Sequence, residues 1–363
     1  MPKSVNSAPL YFRHFNTIRF VAALMVFYSH MQQGYYEYIC KSNDSINHDI
    51  TGRNGVLLFF VLSGFLITSI LLNEKNKTQK INLKNFYFKR VLRIWPLYFL
   101  IIIFAFWIAP AVDFFYIADF QLENRFYTKL LIYSFFLNNL ASFLGTIPYA
   151  WHLWSIATEE QFYLIWPLIF KKFHPFKALI MLLFIYLFTR FALNHASSGV
   201  PILNILREWA NMFIISSMII GGLFAYILHI GRKLNHIKLE LGILFLSMIA
   251  LSYLSLNQID FGFFNAEVYS VLFGVMIYII ASSDYLQINL PEFKLFSFMG
   301  KISYGLYMYQ AITIIVIYKL AVLYNLNSML FIYLSSILLL VSISSLSFRY
   351  FENPILNLKK KLK

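Results

Sequence analysis

The sequence has few charged residues, one cysteine and no long polar stretch. Only 13% of its 363 residues are charged, whereas 60% are hydrophobic and 19% are aromatic. A soluble domain of this length does not need so much apolar surface, and no polar run is long enough for a second domain. Cys40 is the only cysteine, which excludes an internal disulfide. Apolar segments of about 20 residues recur along the chain, and this length is typical of transmembrane helices.

Acidic residues are also scarce. The chain has 16 Asp and Glu and 30 Lys and Arg, which gives a net charge of +14. Such an excess can indicate nucleic-acid binding. In a membrane protein, however, basic residues collect in cytoplasmic loops and set the orientation of the chain. The most basic loop is 73–93, and 171–177 is basic as well. We therefore predict that these loops and both termini are cytoplasmic, and we expect no nucleic-acid partner. A polar loop follows the first apolar segment, so no cleavable signal peptide is predicted.

The apolar segments predict an all-α polytopic membrane protein, with residues 1–363 forming one integral-membrane domain of about ten transmembrane helices. Segment 129–145 is also apolar enough to span, but a span there would place 171–177 outside and invert every later basic loop. We predict that it is re-entrant or interfacial. Small residues in the second helix predict close helix packing. The predicted spans are about 16–33, 54–72, 94–111, 152–170, 176–194, 209–229, 239–257, 264–282, 302–322 and 328–347.

The first predicted helix begins near Arg19 and contains His30 near its other end. Eleven helical steps turn through about 1100°, so the two side chains lie about 20° from the same face and roughly 16 Å apart. Ionisable groups inside a membrane are functional candidates. Arg19 is equally well explained as an anchor that extends to the membrane surface. His30 could be only a buried hydrogen-bonding group, but imidazole is the side chain best suited to proton transfer near neutral pH.

A second candidate site is the stripe His152, Ser155 and Glu159, at positions i, i+3 and i+7 of the fourth predicted span. A carboxylate in a membrane must be paired, protonated or near water. We place this stripe and His30 in the outer half of the membrane, where Glu159 could orient the imidazole or stabilise its charged form. Ser155 is either an acyl nucleophile or, more commonly, a hydroxyl bonded to its own helix. The alternative for the whole stripe is a polar network that fixes helix packing.

Arg90 and Arg93 lie one turn apart at the basic end of the third predicted span, in KRVLRIWPLY. Two guanidinium groups at this spacing could bind a phosphate from both sides. A plain cluster of basic residues on the cytoplasmic side explains them equally well. A phosphate-bearing donor such as coenzyme A would arrive from the cytoplasm, which favours the phosphate-binding interpretation.

These motifs occur in an order that resembles acyltransferase family 3, the membrane family of bacterial O-antigen and exopolysaccharide O-acetyltransferases. The resemblance extends from about residue 15 to 354. It rests on Arg19 and His30 with ten residues between them, a Gly52–Val56 stretch that leads into FFVLSGFL, RVLR, WSIATEEQFYLIWP, ISYGLYMYQ and FRYFENP.

The resemblance implies a protein of the bacterial cytoplasmic membrane that transfers an acyl group, preferably acetyl, from cytoplasmic acetyl-CoA. The implied acceptor is a sugar hydroxyl of a cell-envelope glycan, such as O-antigen, capsule or exopolysaccharide, or its lipid-linked precursor. No metal is expected. By the same resemblance, catalysis is assigned to His30, Glu159 and Arg19, and donor binding to Arg90, Arg93, Ser155 and Trp154.

Three positions depart from the family pattern and bear on donor or acceptor contacts. Asn16 stands where Asp is frequent, Leu57 replaces an acidic residue, and Gln310 replaces a His. Some members carry an esterase-like domain at the C-terminus, which this chain is expected to lack.

Two other functions are compatible with ionisable residues in a membrane. A transporter or flippase of a lipid-linked sugar would predict inverted repeats, and the sequence contains no evident repeat. A non-catalytic membrane scaffold would leave His30 without a chemical role.

Overall fold

The computed structural model describes residues 11–40, 50–117, 125–145, 147–196, 199–234 and 236–361. Every regular element in these ranges is helical, which confirms the all-α prediction. The α-helices are α1 Phe15–Gly34, α2 Ile50–Thr78, α3 Leu83–Ile103, α4 Ala109–Ala111, α5 Phe126–Ser134, α6 Trp154–Lys172, α7 Pro175–His195, α8 Pro201–Met212, α9 Ile215–His229, α10 Ile237–Leu256, α11 Asn265–Ser282, α12 Asp284–Ile288, α13 Lys294–Lys301, α14 Ser303–Leu323, α15 Met329–Ser347 and α16 Asn353–Asn357.

Eight helical stretches in the described part of the chain are long and apolar enough to cross a membrane, which confirms a polytopic membrane protein. They are Ile50–Thr78, Leu83–Ala111, Pro175–His195, Pro201–His229, Ile237–Leu256, Gly262–Ser282, Ser303–Leu323 and Met329–Asn357. The two other predicted spans correspond to α1 and α6, which have 20 and 19 residues. Both helices approach the roughly 30 Å of a bilayer core. Both carry charged side chains, Arg19 on α1 and Glu159 on α6, and neither is among the eight.

Segment 129–145 does not form a spanning helix, as predicted. Its α-helical part, α5, has nine residues and is therefore only about 13 Å long. A 3₁₀ stretch follows at Asn138–Leu144. The hydroxyl of Tyr98 donates to the Tyr133 carbonyl at 2.8 Å and to Asn138 Oδ1 at 3.1 Å, which holds this segment against α3. Tyr149, just beyond the segment, donates to the Phe115 carbonyl at 2.7 Å, and Phe126, just before it, packs against Phe106 with ring centroids 5.6 Å apart. Both ends of the segment therefore lie near the end of α3.

One end of the helical bundle, called the basic end below, contains the basic segments 73–93 and 171–177 and the beginning of α1. In the structure these segments are mostly helical, because α2 extends to Thr78, α3 begins at Leu83, α6 extends to Lys172 and α7 begins at Pro175. Contacts that join helix termini at this end are Lys75 to Phe170, Asn76 to His229, Lys233 to Asp284 and Arg13 to Ile288. The opposite end contains the end of α1 and the beginning of α2. Contacts there are Tyr318 to Met31 and Asn54 to Ser255.

Helix α2 lies at the centre of the bundle and crosses α9 at very short range. A Cβ atom added to Gly64 would overlap the Met218 carbonyl oxygen, and one added to Gly221 would overlap that of Val61. Only glycine permits the two backbones to approach this closely. The predicted close packing of the second helix is therefore confirmed, and it fixes the helix that carries Ser63.

A buried ion pair joins α7 to α11. Arg190 Nη1 lies 3.0 Å from Glu267 Oε1, and both side chains are about nine-tenths buried. Ser216 of α9 donates to the same carboxylate oxygen at 2.7 Å. This polar contact ties three helices together within the apolar bundle.

Candidate active site

A cavity of about 270 Å³ opens among α1, α2, α3, α6 and α14, near the basic end. We call it the arginine cavity. It brings together most of the residues that the sequence predicts for the site, although they come from three separate helices. Its polar lining residues are Arg19, Ser63, Arg90, Arg93, Ser155, Glu159, Tyr163, Ser303, Tyr304 and Tyr307.

Arg19 reaches this cavity from the first turns of α1. Its Nη1 donates to Asn16 Oδ1 at 2.9 Å, and Asn16 Nδ2 lies 3.5 Å from Ser297 Oγ. The start of α1 also packs tightly on α13, because a Cβ on Gly300 would overlap the Asn16 carbonyl. Asn16 therefore positions the Arg19 guanidinium without neutralising its charge, which an aspartate at this position would do.

Arg90 and Arg93 extend into the same cavity from consecutive turns of α3. The Arg90 guanidinium lies over two aromatic rings, 5.8 Å from the centroid of Phe86 and 5.3 Å from that of Tyr163. Such cation–π contacts orient a guanidinium and leave its N–H groups available for a ligand. Among the described residues, ion pairs form only at Arg190–Glu267 and Lys233–Asp284, so none of the cavity arginines is paired with a carboxylate.

Glu159 is the carboxylate of the arginine cavity. Its Oε1 accepts a hydrogen bond from Ser63 Oγ at 2.8 Å, and its Oε2 accepts one from the Tyr163 hydroxyl at 3.1 Å. Three guanidinium groups and one carboxylate thus line the cavity, which leaves it with a positive charge. A partly buried, positively charged cavity with free guanidinium N–H groups is suited to bind phosphate or another anion.

Ser155 and Tyr307 lie at the deep side of the arginine cavity. Their hydroxyl oxygens are 2.6 Å apart, and both hydroxyls approach the His152 carbonyl, Ser155 at 3.3 Å and Tyr307 at 2.9 Å. Ser155 therefore bonds to its own helix, which was the more common of the two predicted roles.

His30 lines a different cavity, of about 330 Å³, at the opposite end of the bundle. We call it the histidine cavity. The imidazole is half-buried and packs edge-on against Trp151, with ring centroids 5.9 Å apart. The other lining residues are Gln33, Gly34, Glu37, Tyr38, Ile117, Pro148, Ile314 and Ile315.

The structure does not bring two of the predicted residues to their expected places. Glu159 does not lie beside His30, because Glu159 lines the arginine cavity and His30 lines the histidine cavity at the opposite end of the bundle. Trp154 does not line the arginine cavity. It lies about 140° around α6 from Glu159, and its indole packs against Phe60 of α2 with ring centroids 6.3 Å apart.

Five polar residues of the arginine cavity were not singled out from the sequence: Ser63, Tyr163, Ser303, Tyr304 and Tyr307. Tyr163 lies one helical turn beyond Glu159, so extending the polar stripe by four residues would have found it. Tyr307 lies within the ISYGLYMYQ motif, whose role the sequence did not specify. Ser63 lies in an apolar run of α2, where one hydroxyl gives no periodic signal.

Comparison with known proteins identifies the family of this chain. A family model described as an acyltransferase domain matches residues 13–349. The chain therefore belongs to this acyltransferase family, which confirms the resemblance to acyltransferase family 3. No solved structure matches the chain.

Curated relatives of the chain include O-acetyltransferases. The chain is 27% identical to the O-acetyltransferase OatA of Staphylococcus aureus over 325 residues, which cover 84% of this chain and 52% of that protein. It is 34% identical over 140 residues to the peptidoglycan O-acetyltransferase OatA of Listeria monocytogenes, covering 33% of this chain and 20% of that protein. An uncharacterized protein of Haemophilus influenzae is 35% identical over 156 residues. The chain spans about half the length of the S. aureus relative.

Proposed function

We propose that the chain is a membrane O-acyltransferase that moves an acyl group, preferably acetyl, from cytoplasmic acyl-CoA to a sugar hydroxyl of a cell-envelope glycan. The observation that carries this proposal is that Arg19 and His30, on one helix, line two cavities that approach each other from opposite ends of the bundle. An anion-binding cavity suits a donor from one side, and a cavity with an imidazole suits an acceptor from the other side.

The donor is assigned to the arginine cavity. Coenzyme A carries phosphate groups, and the guanidinium groups of Arg19, Arg90 and Arg93 supply charge-assisted donors for them. The cavity extends inward to Ser155 and Tyr307, so an arm that begins at the phosphates can direct the thioester toward the wall between the cavities. The basic end of the bundle is assigned to the cytoplasm, where acyl-CoA is made, by the excess of Lys and Arg in its loops.

The acceptor is assigned to the histidine cavity. Tyr38 and Trp151 provide aromatic surfaces, while Gln33 and Glu37 provide hydrogen-bonding groups. This combination suits a sugar, which presents apolar C–H faces and hydroxyl groups. The S. aureus relative is an O-acetyltransferase by name, and the L. monocytogenes relative is a peptidoglycan O-acetyltransferase by name. The acceptor class is therefore an envelope glycan or its lipid-linked precursor, with peptidoglycan as the first acceptor to test.

His30 is assigned the role of general base. It takes the proton of the acceptor hydroxyl as that oxygen attacks the thioester carbonyl carbon. The new C–O bond forms, the C–S bond breaks, and coenzyme A leaves as the thiolate with the electron pair of that bond. Positioned general-base catalysis contributes about 10²–10⁴-fold to the rate.

The proposal is tested with the full chain in lipid nanodiscs, radiolabelled acetyl-CoA and glycan acceptors that include peptidoglycan fragments. We expect labelled glycan from the wild type, and loss of label by about 10²–10⁴-fold in His30→Gln. The matched control is Leu24→Ala, an exposed position on the same helix that lines neither cavity.

Three outcomes would contradict parts of the proposal. Unchanged acetyl transfer in His30→Gln would contradict the assignment of His30 as the general base. A wild type that consumes no acyl-CoA with any glycan would contradict the enzyme proposal. Movement of a lipid-linked glycan across the membrane without acetylation would support a transporter instead.

A further inference from the structure

His152 lies in the wall between the two cavities, where the proposed function requires the thioester to react. Its side chain is completely buried, with 1% of the residue exposed. The ring centroid is 5.4 Å from that of Tyr307, which lines the arginine cavity, and 6.0 Å from that of Trp151, which lines the histidine cavity. Trp151 in turn contacts His30. One imidazole therefore touches lining residues of both cavities.

Within the part of the chain that the structure describes, neither ring nitrogen of His152 has a partner at normal hydrogen-bond geometry. The Met308 backbone is a polar neighbour of the ring. Buried polar atoms are nearly always hydrogen-bonded, because leaving one unpaired is unfavourable. A histidine that served only for packing would be expected to donate to a carbonyl or hydroxyl. Two unpaired nitrogens in this wall indicate that the partner is an atom of a ligand.

The hydroxyl groups next to His152 are already engaged. Tyr307 donates to the His152 carbonyl at 2.9 Å, and Ser155 lies within hydrogen-bonding distance of both that carbonyl and the Tyr307 oxygen. These bonds also fix the backbone that carries the imidazole. No described carboxylate is bonded to the ring, so it is stable in this site as the neutral imidazole, which has one N–H donor and one acceptor nitrogen.

We propose that His152 is the oxyanion donor of the acyl transfer, an inference that rests on the proposed function. As the acceptor oxygen attacks the thioester, negative charge develops on the carbonyl oxygen, and the His152 N–H donates a hydrogen bond to it. The acceptor proton goes to His30, and the charge leaves with the thiolate when the C–S bond breaks. His152 keeps its proton throughout, so the two imidazoles have separate roles: His30 accepts a proton and His152 stabilises charge.

The test combines kinetics with the infrared spectrum of the bound donor, using the full chain in nanodiscs. Acetyl-CoA labelled with ¹³C at the carbonyl is the probe. In the wild type we expect the carbonyl stretch to move to lower frequency on binding, because a hydrogen bond weakens the C=O bond. In His152→Phe we expect this shift to disappear and kcat to fall about 10²–10³-fold, as for other oxyanion donors, with the KM for acetyl-CoA within about twofold.

Two further variants separate this role from packing and from general-base catalysis. His30→Gln should lose transfer but keep the carbonyl shift. His152→Gln, which restores an N–H donor, should recover part of the shift and part of kcat. Gln310 also has a buried amide without a hydrogen-bond partner among the described residues, one turn beyond Tyr307 on α14, so Gln310→Leu is included as the competing donor.

The outcomes distinguish this inference from the proposed function. A carbonyl shift that persists in His152→Phe, or that is lost in Gln310→Leu instead, would overturn the assignment of His152. If His152→Phe fails to fold, His152→Gln is decisive. A His152→Gln variant that lacks the carbonyl shift but keeps the wild-type kcat would also overturn the assignment of His152 as the oxyanion donor. A wild type that neither binds nor uses acetyl-CoA would contradict the proposed donor itself.

Discussion

Arg19 and His30 lie on one face of α1, eleven residues apart, and each lines a different cavity. Their separation along the axis is about 16 Å. Because both side chains belong to one continuous helix, the distance between the anion-binding end and the imidazole is fixed by the backbone. Rigid elements hold reacting groups more accurately than loops do. Under the proposed function, this arrangement would hold the donor at a fixed distance from His30 as the base.

Removing a cavity arginine should weaken donor binding more than it slows the chemical step. For Arg90→Gln we expect the KM for acetyl-CoA to rise about 10–100-fold, because a hydrogen bond to a charged group contributes about 1.5–3 kcal/mol. Arg232→Gln is the matched control, since Arg232 is exposed at the same end and does not line the cavity. Initial rates over a range of acetyl-CoA concentrations measure both effects. An equal change in the control would show that general surface charge is responsible.

Glu159 should limit the anion affinity of the arginine cavity. Glu159→Gln keeps the size of the side chain and an oxygen acceptor for Ser63 or Tyr163, but removes the negative charge. We therefore expect tighter binding of desulfo-coenzyme A, measured by calorimetry at low salt, and a smaller difference at high salt, where charges are screened. Glu160→Gln is the control, because Glu160 accepts from Trp95 at 2.9 Å and does not line the cavity. Weaker binding in Glu159→Gln would contradict this electrostatic role.

The sequence predicted the individual residues of the site better than their grouping. Helical periodicity predicted that Arg19 and His30 share a face, and α1 confirms it. It also predicted a stripe containing Glu159, but not which neighbour the carboxylate would meet. That depends on where α6 begins relative to α1, and a 3₁₀ turn at Trp151–Leu153 sets this position. Periodicity within a helix carries no information on its axial offset from another helix.

The predicted spans were close to the observed helices. Only the distribution of charge predicted that segment 129–145 does not span the membrane. The apolar composition of 129–145 allowed a span, but the basic loop at 171–177 excluded it. The unpaired state of His152 could not be predicted, because it depends on side chains from α14 that are more than 150 residues away in the chain. Long-range contacts of this kind leave no local pattern.

The crossing of α2 and α9 should tolerate no side chain at Gly64. We expect Gly64→Ala to destabilise the protein by about 1–3 kcal/mol, because the added methyl group overlaps the Met218 carbonyl and the two helices must move apart. Gly242→Ala is the matched control. It lies inside α10 with no atom within 4 Å of an added Cβ, so the better helix propensity of alanine should leave stability unchanged or raise it. Thermal unfolding in detergent measures both variants, and equal stability of the two would contradict the close approach.

The buried ion pair between Arg190 and Glu267 should matter for stability and not for the chemical step. Replacing one partner leaves an uncompensated buried charge, so Arg190→Met should destabilise the protein by about 3–5 kcal/mol. The double variant Arg190→Met with Glu267→Met should recover much of this loss. Neither residue lines the arginine or the histidine cavity, so kcat per folded molecule should be unchanged. A double variant as unstable as the single one would indicate that the other contacts of these side chains dominate.

The orientation of the bundle decides whether cytosolic acyl-CoA can reach the arginine cavity. A reporter fused after Lys172, at the basic end, should report the cytoplasm, and one fused after Gln258, beyond α10, should report the outside. The fusion after Gln258 is the internal control, because the two sites must give opposite signals if α6 and α10 finish at opposite ends. An external signal after Lys172 would place the arginine cavity on the side that cytosolic acyl-CoA does not reach. The proposed donor would then be wrong, whereas membership of the acyltransferase family, which rests on the match over residues 13–349, would remain.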